Sequence, residues 1–184
     1  MELRDFISKS LRKLINEELN TTLSGYFSNI DLNTEDVFQM IDYADSYKNL
    51  YPDFNEFNNE YEQDYYFPSR EEAYNNVNQT LEFFNSLPDP ISIYRTIKVK
   101  SLEDIKFDYL GDSWSFNKES AINFARNHAG GNVLLSAKTK FDNVDWKATL
   151  KLHYQFSNTF DGYDEDEIKI IDSDQLLDLK VEKI

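Results

Sequence analysis

An α+β fold with helices first and strands after is what this chain predicts, on three observations. Apolar residues recur every three or four positions through the first half, and they alternate with polar ones through much of the second. Between the two regimes stands Leu87-Pro88-Asp89-Pro90, a segment that neither helix nor strand tolerates well. With 184 residues, 40% hydrophobic and 15% aromatic, the chain has enough apolar material for a real core. The expected organisation is a helical region over 1–88 packed on a β-rich region over 89–184.

Leu3, Phe6, Ile7, Leu11, Leu14, Ile15 and Leu19 form one stripe of an amphipathic helix ending before Asn20-Thr21-Thr22. Asn33-Thr34 caps a second helix with Val37, Met40, Ile41 and Ala44 inward, and Glu35 and Asp36 suit its positive end. From Tyr43 to Tyr65 aromatics continue at near-helical spacing through an acidic background, interrupted at Pro52. Ser69 and Glu72 read as a capping box for a helix that buries Tyr74, Val77, Leu81 and Phe84.

After the prolines, Ile91, Ile93, Arg95, Ile97 and Val99 alternate with Ser92, Tyr94, Thr96 and Lys98, the period of a half-buried strand. Arg95 stands where an aliphatic residue belongs, and a buried guanidinium calls for an anionic partner. Ser101 and Asp104 cap a short turn, and Ser113-Trp114-Ser115-Phe116 opens the next strand. Asn117 caps a helix carrying Ala121, Phe124, Ala125 and His128 on one face, stopped by Gly130-Gly131. Val133–Thr139, Leu150–Phe156, Glu167–Ile171 and Leu176–Val181 are expected as strands, with a polar loop from Ser157 to Asp164.

Net charge is −15 with a pI near 4.4, which disfavours a general nucleic-acid binder, since phosphate neutralisation needs clustered Lys and Arg. Residues 1–88 hold 17 acidic and 6 basic side chains, a net of −11; residues 89–184 hold 17 and 13, a net of −4. Zero cysteines remove disulfides, thiolate metal sites and cysteine nucleophiles together. No signal-peptide core opens the chain and no run approaches membrane-spanning length, so a soluble protein acting in the cytosol is expected. Asp161, Asp164 and Asp166 do not have the spacing of an EF-hand, and no Walker loop, dinucleotide fingerprint or nucleophile elbow occurs.

Three motifs follow in order: Tyr94-Arg95, Ser113-Trp114-Ser115 and Glu165-Asp166-Glu167. Short patterns of this kind recur by chance, as Ser8-Lys9-Ser10 and Glu60-Tyr61-Glu62 show within this chain. The signal is the order together with the context: an arginine within a strand, a serine pair opening a strand before a helix, a glutamate pair entering an apolar strand.

From about Ile91 to Ile171 the chain resembles the Arg-Ser-Glu class of mono-ADP-ribosyltransferases, which includes bacterial toxins and bacteriophage enzymes that modify host proteins. The resemblance implies a split mixed β-sandwich core with an NAD cleft between sheets, NAD as substrate and no metal. It assigns Arg95, beside Tyr94, to the NAD phosphates or the nicotinamide-side ribose. Ser113 would bond the ribose and orient the catalytic glutamate, with Ser115 close to the cofactor. Glu167 would meet the positive charge that develops on the ribose.

Glu165 implies an arginine acceptor on a target protein, with Phe160 and Tyr163 recognising it; RNA or water is the alternative acceptor. Phe124 would stack on nicotinamide or pack in the core, and strand alternation turns Trp114 toward the core. Two departures stand out: Trp114 replaces the family's middle threonine, and Asp164 and Asp166 add charge around the glutamates. Extra charge of that kind either raises a glutamate pKa or marks a solvated acidic turn. A reading from another class is a non-enzymatic acidic inhibitor, its N-terminal half mimicking nucleic acid on a basic partner.

Overall fold

Pro68 begins a helix because its fixed φ suits the first helical position and its missing N–H would have no partner there. This places the start one residue ahead of the Ser69–Glu72 capping box. The structure, a computed structural model, describes residues 34–43, 55, 68–157 and 166–184. The expected helix over 3–19, the aromatic stripe between Tyr43 and Tyr65, Phe160, Tyr163 and Glu165 lie outside them.

Helices α1 (Thr34–Tyr43) and α2 (Pro68–Ser86) are followed by strands β1 (Ile91–Ile97) and β2 (Ser113–Ser115). Helix α3 (Lys118–Phe124) runs into a π turn over Ala125–Ala129, and then come β3 (Val133–Thr139), α4 (Trp146–Ser157), β4 (Glu167–Lys169) and β5 (Leu177–Lys183). The strands form one sheet in the order β4-β2-β1-β3-β5, antiparallel at every ladder. The α+β class therefore holds. Among the described residues there is no parallel pair and no second sheet, where a mixed, split sandwich was expected.

One reason is that 150–156, expected as a strand, is helix α4. Leu150, Leu152, Tyr154 and Phe156 do alternate along the sequence. Yet Thr149, Leu150, His153 and Tyr154 are the residues that become buried, and their spacing is helical. Asp145 caps the helix by accepting from the Ala148 N–H at 3.0 Å, and its carbonyl accepts from the Thr149 hydroxyl at 2.8 Å.

Helices α1, α2 and α4 pack on the sheet face that carries Ile91, Ile93, Trp114 and Ile168. Val37, Met40 and Ile41 of α1, with Tyr74, Val77, Leu81 and Phe84 of α2, join these residues in one buried cluster, so the core runs across residue 88 without a break. Phe38 meets Tyr154 edge-on at 6.2 Å, and Lys151 pairs with Asp42 at 2.7 Å at the rim of the same contact. No helix among the described residues is long and apolar enough to cross a membrane.

Asn143 ties the end of β3 to the chain after β4. Buried to 2% exposure, it donates to the Thr139 hydroxyl at 3.1 Å and to the Asp172 carbonyl at 2.8 Å, and accepts from the Asp172 N–H at 2.9 Å. Asn143→Ala strips partners from three polar groups and is expected to lower stability by about 1–3 kcal/mol in urea unfolding.

Candidate active site

β2 is the middle strand of the three that carry the motifs, with β1 on one side and β4 on the other. Tyr94 stands opposite Ser115, and Ser115 opposite Glu167, so one row crosses all three strands on a single face. Ser113 stands opposite Lys169 in the next row. The other face of β2 and β4 carries Trp114 opposite Ile168, both in the core. Two-residue alternation therefore divides the Ser-Trp-Ser and Glu-Ile-Lys triplets alike into a polar face and a core anchor.

A cleft of about 390 Å³ is lined by Tyr94, Arg95, Thr96, Ser113, Trp114, Ser115, Ala121, Phe124 and Glu167, drawing on the polar row and on Arg95 and Trp114 beside it. Helix α3 forms its wall. Asn117 caps that helix by accepting from the N–H groups of Glu119 and Ser120, and Thr96 fixes it to β1 through a 3.1 Å bond to the Ala121 carbonyl. Phe124, which the sequence left between stacking and core packing, lines the cleft from the last turn of α3.

Arg95 continues the line of Ile91 and Ile93, and its Nη1 donates to the Ser113 carbonyl at 2.7 Å. Among the described residues this is the only hydrogen bond of its side chain, which leaves most of its five N–H donors for something else. Burial pushes the guanidinium pKa down, while Asp112, Glu167 and Tyr109 act in the opposite direction by charge. Gly111, at φ 73°, lies against the guanidinium: a Cβ there would sit 2.7 Å from Nη1. Neither Gly111 nor Asp112 was among the site residues expected from the sequence, because each acts through Arg95.

Glu167, its side chain 15% exposed, pairs with Lys169 at 2.9 Å. The Ser113 hydroxyl meets the Lys169 ammonium, and a long 3.4 Å bond joins it to Asp112. It makes no bond to Glu167 itself. Behind the strand, buried His153 lies 2.6 Å from the Glu167 carbonyl through Nε2. Neither Lys169 nor His153 was expected at the site. The register opposite Ser113 identifies the lysine, and only the helical form of 150–156 brings the histidine here.

Ser115 is a local brace, accepting from the Asn117 N–H at 3.1 Å and donating to the Asn117 carbonyl at 2.8 Å. Trp114 is buried in the core, its indole N–H donating to the Gly111 carbonyl at 3.1 Å. Asp166 is no solvated turn residue. It is 1% exposed, at φ 48°, accepts from the Ser120 hydroxyl at 2.7 Å and accepts at its carbonyl from the Phe116 N–H. Its left-handed backbone immediately precedes β4. Among the described residues no group of three or more His, Cys, Asp or Glu is placed to hold a metal ion.

Gly111→Ala is expected to lower stability by about 1–2 kcal/mol from left-handed strain and to move the Arg95 Nε–H resonance in an NMR spectrum. Gly130→Ala is the control: its φ is 61°, but the nearest atom to its added Cβ is Lys98 Nζ at 3.4 Å. It should share the strain and leave Arg95 unmoved.

No protein-family model, curated protein or solved structure matches this chain.

Proposed function

We propose that the protein is a mono-ADP-ribosyltransferase that moves ADP-ribose from NAD to a protein of a host or target cell, with arginine as the acceptor and nicotinamide released. The observation that carries this reading is the meeting of Arg95, Ser113 and Glu167 in one cleft, from three strands that lie side by side. They are far apart in sequence and reach the cleft through strand order alone. The split-sheet architecture of the resembling family belongs to the same proposal.

The chemistry divides among them by charge. Arg95 offers a cation with unused N–H donors to the diphosphate. Ser113 bonds a ribose hydroxyl, and Phe124 covers the nicotinamide ring. The bond between ribose C1′ and the pyridinium nitrogen breaks, its electron pair leaves with neutral nicotinamide, and positive charge spreads over C1′ and the ring oxygen. Glu167, largely shielded from water, meets that charge and stabilises the transition state. An acceptor nitrogen then bonds to C1′ and gives up a proton. The arginine acceptor rests on the residue type of Glu165 alone.

Purified protein incubated with radiolabelled NAD and cell lysate should release nicotinamide and label a protease-sensitive, nuclease-resistant species. Nuclease-sensitive label would redirect the acceptor to nucleic acid. No NAD turnover with any acceptor, water included, overturns the reading.

A further inference from the structure

Lys169 joins the two groups that the proposed reaction needs in register. Its Nζ is 2.9 Å from Glu167 Oε1 and donates to Ser113 Oγ, while Ser113 and Glu167 make no direct bond to each other. The side chain is 24% exposed, which shields its charge pair from free exchange with solvent. Its backbone is held from outside the sheet as well, with its N–H on the Thr149 hydroxyl at 2.9 Å and its carbonyl accepting from the Asp145 N–H at 2.9 Å. Because Lys169 and Ser113 are direct cross-strand partners and Lys169 and Glu167 are two apart on one strand, the ammonium sits where both can be reached at once.

We infer that Lys169 is a positioning residue: it locks the Glu167 carboxylate and the Ser113 hydroxyl into one geometry facing the cleft. The inference deepens the transferase reading and rests on it. An ammonium has three donors and no acceptor, so the serine can only accept from it and must direct its own proton elsewhere. The carboxylate on a flexible glutamate stem loses rotamers in the pair before substrate arrives, and the order needed at the transition state is already present. A rival role follows from the same contact. If Lys169 merely screened Glu167, its positive charge would oppose the cationic sugar, and removing it would speed the reaction.

The two roles predict opposite signs. For positioning, Lys169→Met lowers kcat for nicotinamide release on the order of tenfold to a hundredfold, with KM for NAD changed by less than about threefold. Lys169→Arg, which keeps the charge and offers two parallel donors, restores part of that loss. Ser113→Ala costs less in the Lys169→Met background than in the wild type, because the part of its effect that passes through the ammonium is already lost while its bond to the ribose is not. Should the methionine variant fail to fold, Lys169→Gln carries the same comparison, with a fall in kcat at steady KM expected. Wild-type turnover with an unchanged or raised kcat in the Lys169→Met or Lys169→Gln variant overturns the inference and leaves the enzyme reading standing. Absence of NAD turnover in the wild type itself overturns both.

Discussion

Glu167→Gln is expected to lower the rate of nicotinamide release and of protein labelling by about a hundredfold or more, the loss typical of removing a preorganised electrostatic group from a shielded site. The amide keeps the size of the side chain and can still accept a hydrogen bond from Lys169, so the strand and the cleft should persist. Binding of NAD, followed by calorimetry, should change by less than about threefold, since the carboxylate acts on charge that exists only as the bond breaks. Glu182→Gln, at an exposed position of β5 outside the residues that line the cleft, removes a charge of the same kind and should leave turnover unchanged. Equal activity in Glu167→Gln and wild type would remove the carboxylate from the chemistry.

Arg95→Lys is the second large effect, and it should appear in binding. The charge is conserved, but a lysine cannot hold the Ser113 carbonyl and a diphosphate together as a planar fork can. Loss of one or two charge-assisted bonds corresponds to about 1.5–3 kcal/mol, or roughly a tenfold to hundredfold rise in the dissociation constant for NAD. Calorimetric titration of the folded variant measures it directly. A dissociation constant equal to the wild type would assign Arg95 to the scaffold, where its bond to the β2 backbone would be its whole purpose.

Much of the fold was legible because local pattern and final burial agree. Val37, Met40 and Ile41 recur with helical spacing and are fully buried; Ile91 and Ile93 alternate and are buried; the strand over Val133–Thr139 has the predicted ends. The Ser101–Asp104 capping box forms as written, with both of its bonds present. Segment 150–156 was misread because its apolar residues satisfy two periods at once. What decided between them lies elsewhere in the chain, in the Asp145 cap and in the surface that Phe38 of α1 offers to Tyr154.

The site divides in the same way. Arg95 was visible as a cation on an apolar strand face, and Trp114 as a core residue between two serines. Lys169, Gly111, Asp112 and His153 were not visible as site residues, since their places depend on Ser113 standing opposite Lys169, on the reach of Arg95 to Gly111 and Asp112, and on the helical form of 150–156. For Asp166 the sequence left open a charge acting on the glutamates or a solvated turn; it is buried, its carboxylate reaching Ser120 on another element.

By itself the sequence determined the helices over 34–43 and 68–86, the strands around Arg95 and over 133–139, most of the apolar residues that face inward, and that an arginine, a serine and a glutamate would each stand on or at the start of a strand. Only the tertiary structure decided that β4, β2 and β1 are neighbours, that Ser113 and Glu167 meet through Lys169, and that helix α4 backs β4. The physical reason is range. Local periodicity depends on backbone geometry within a few residues, whereas strand order depends on burying one common core from segments distant along the chain.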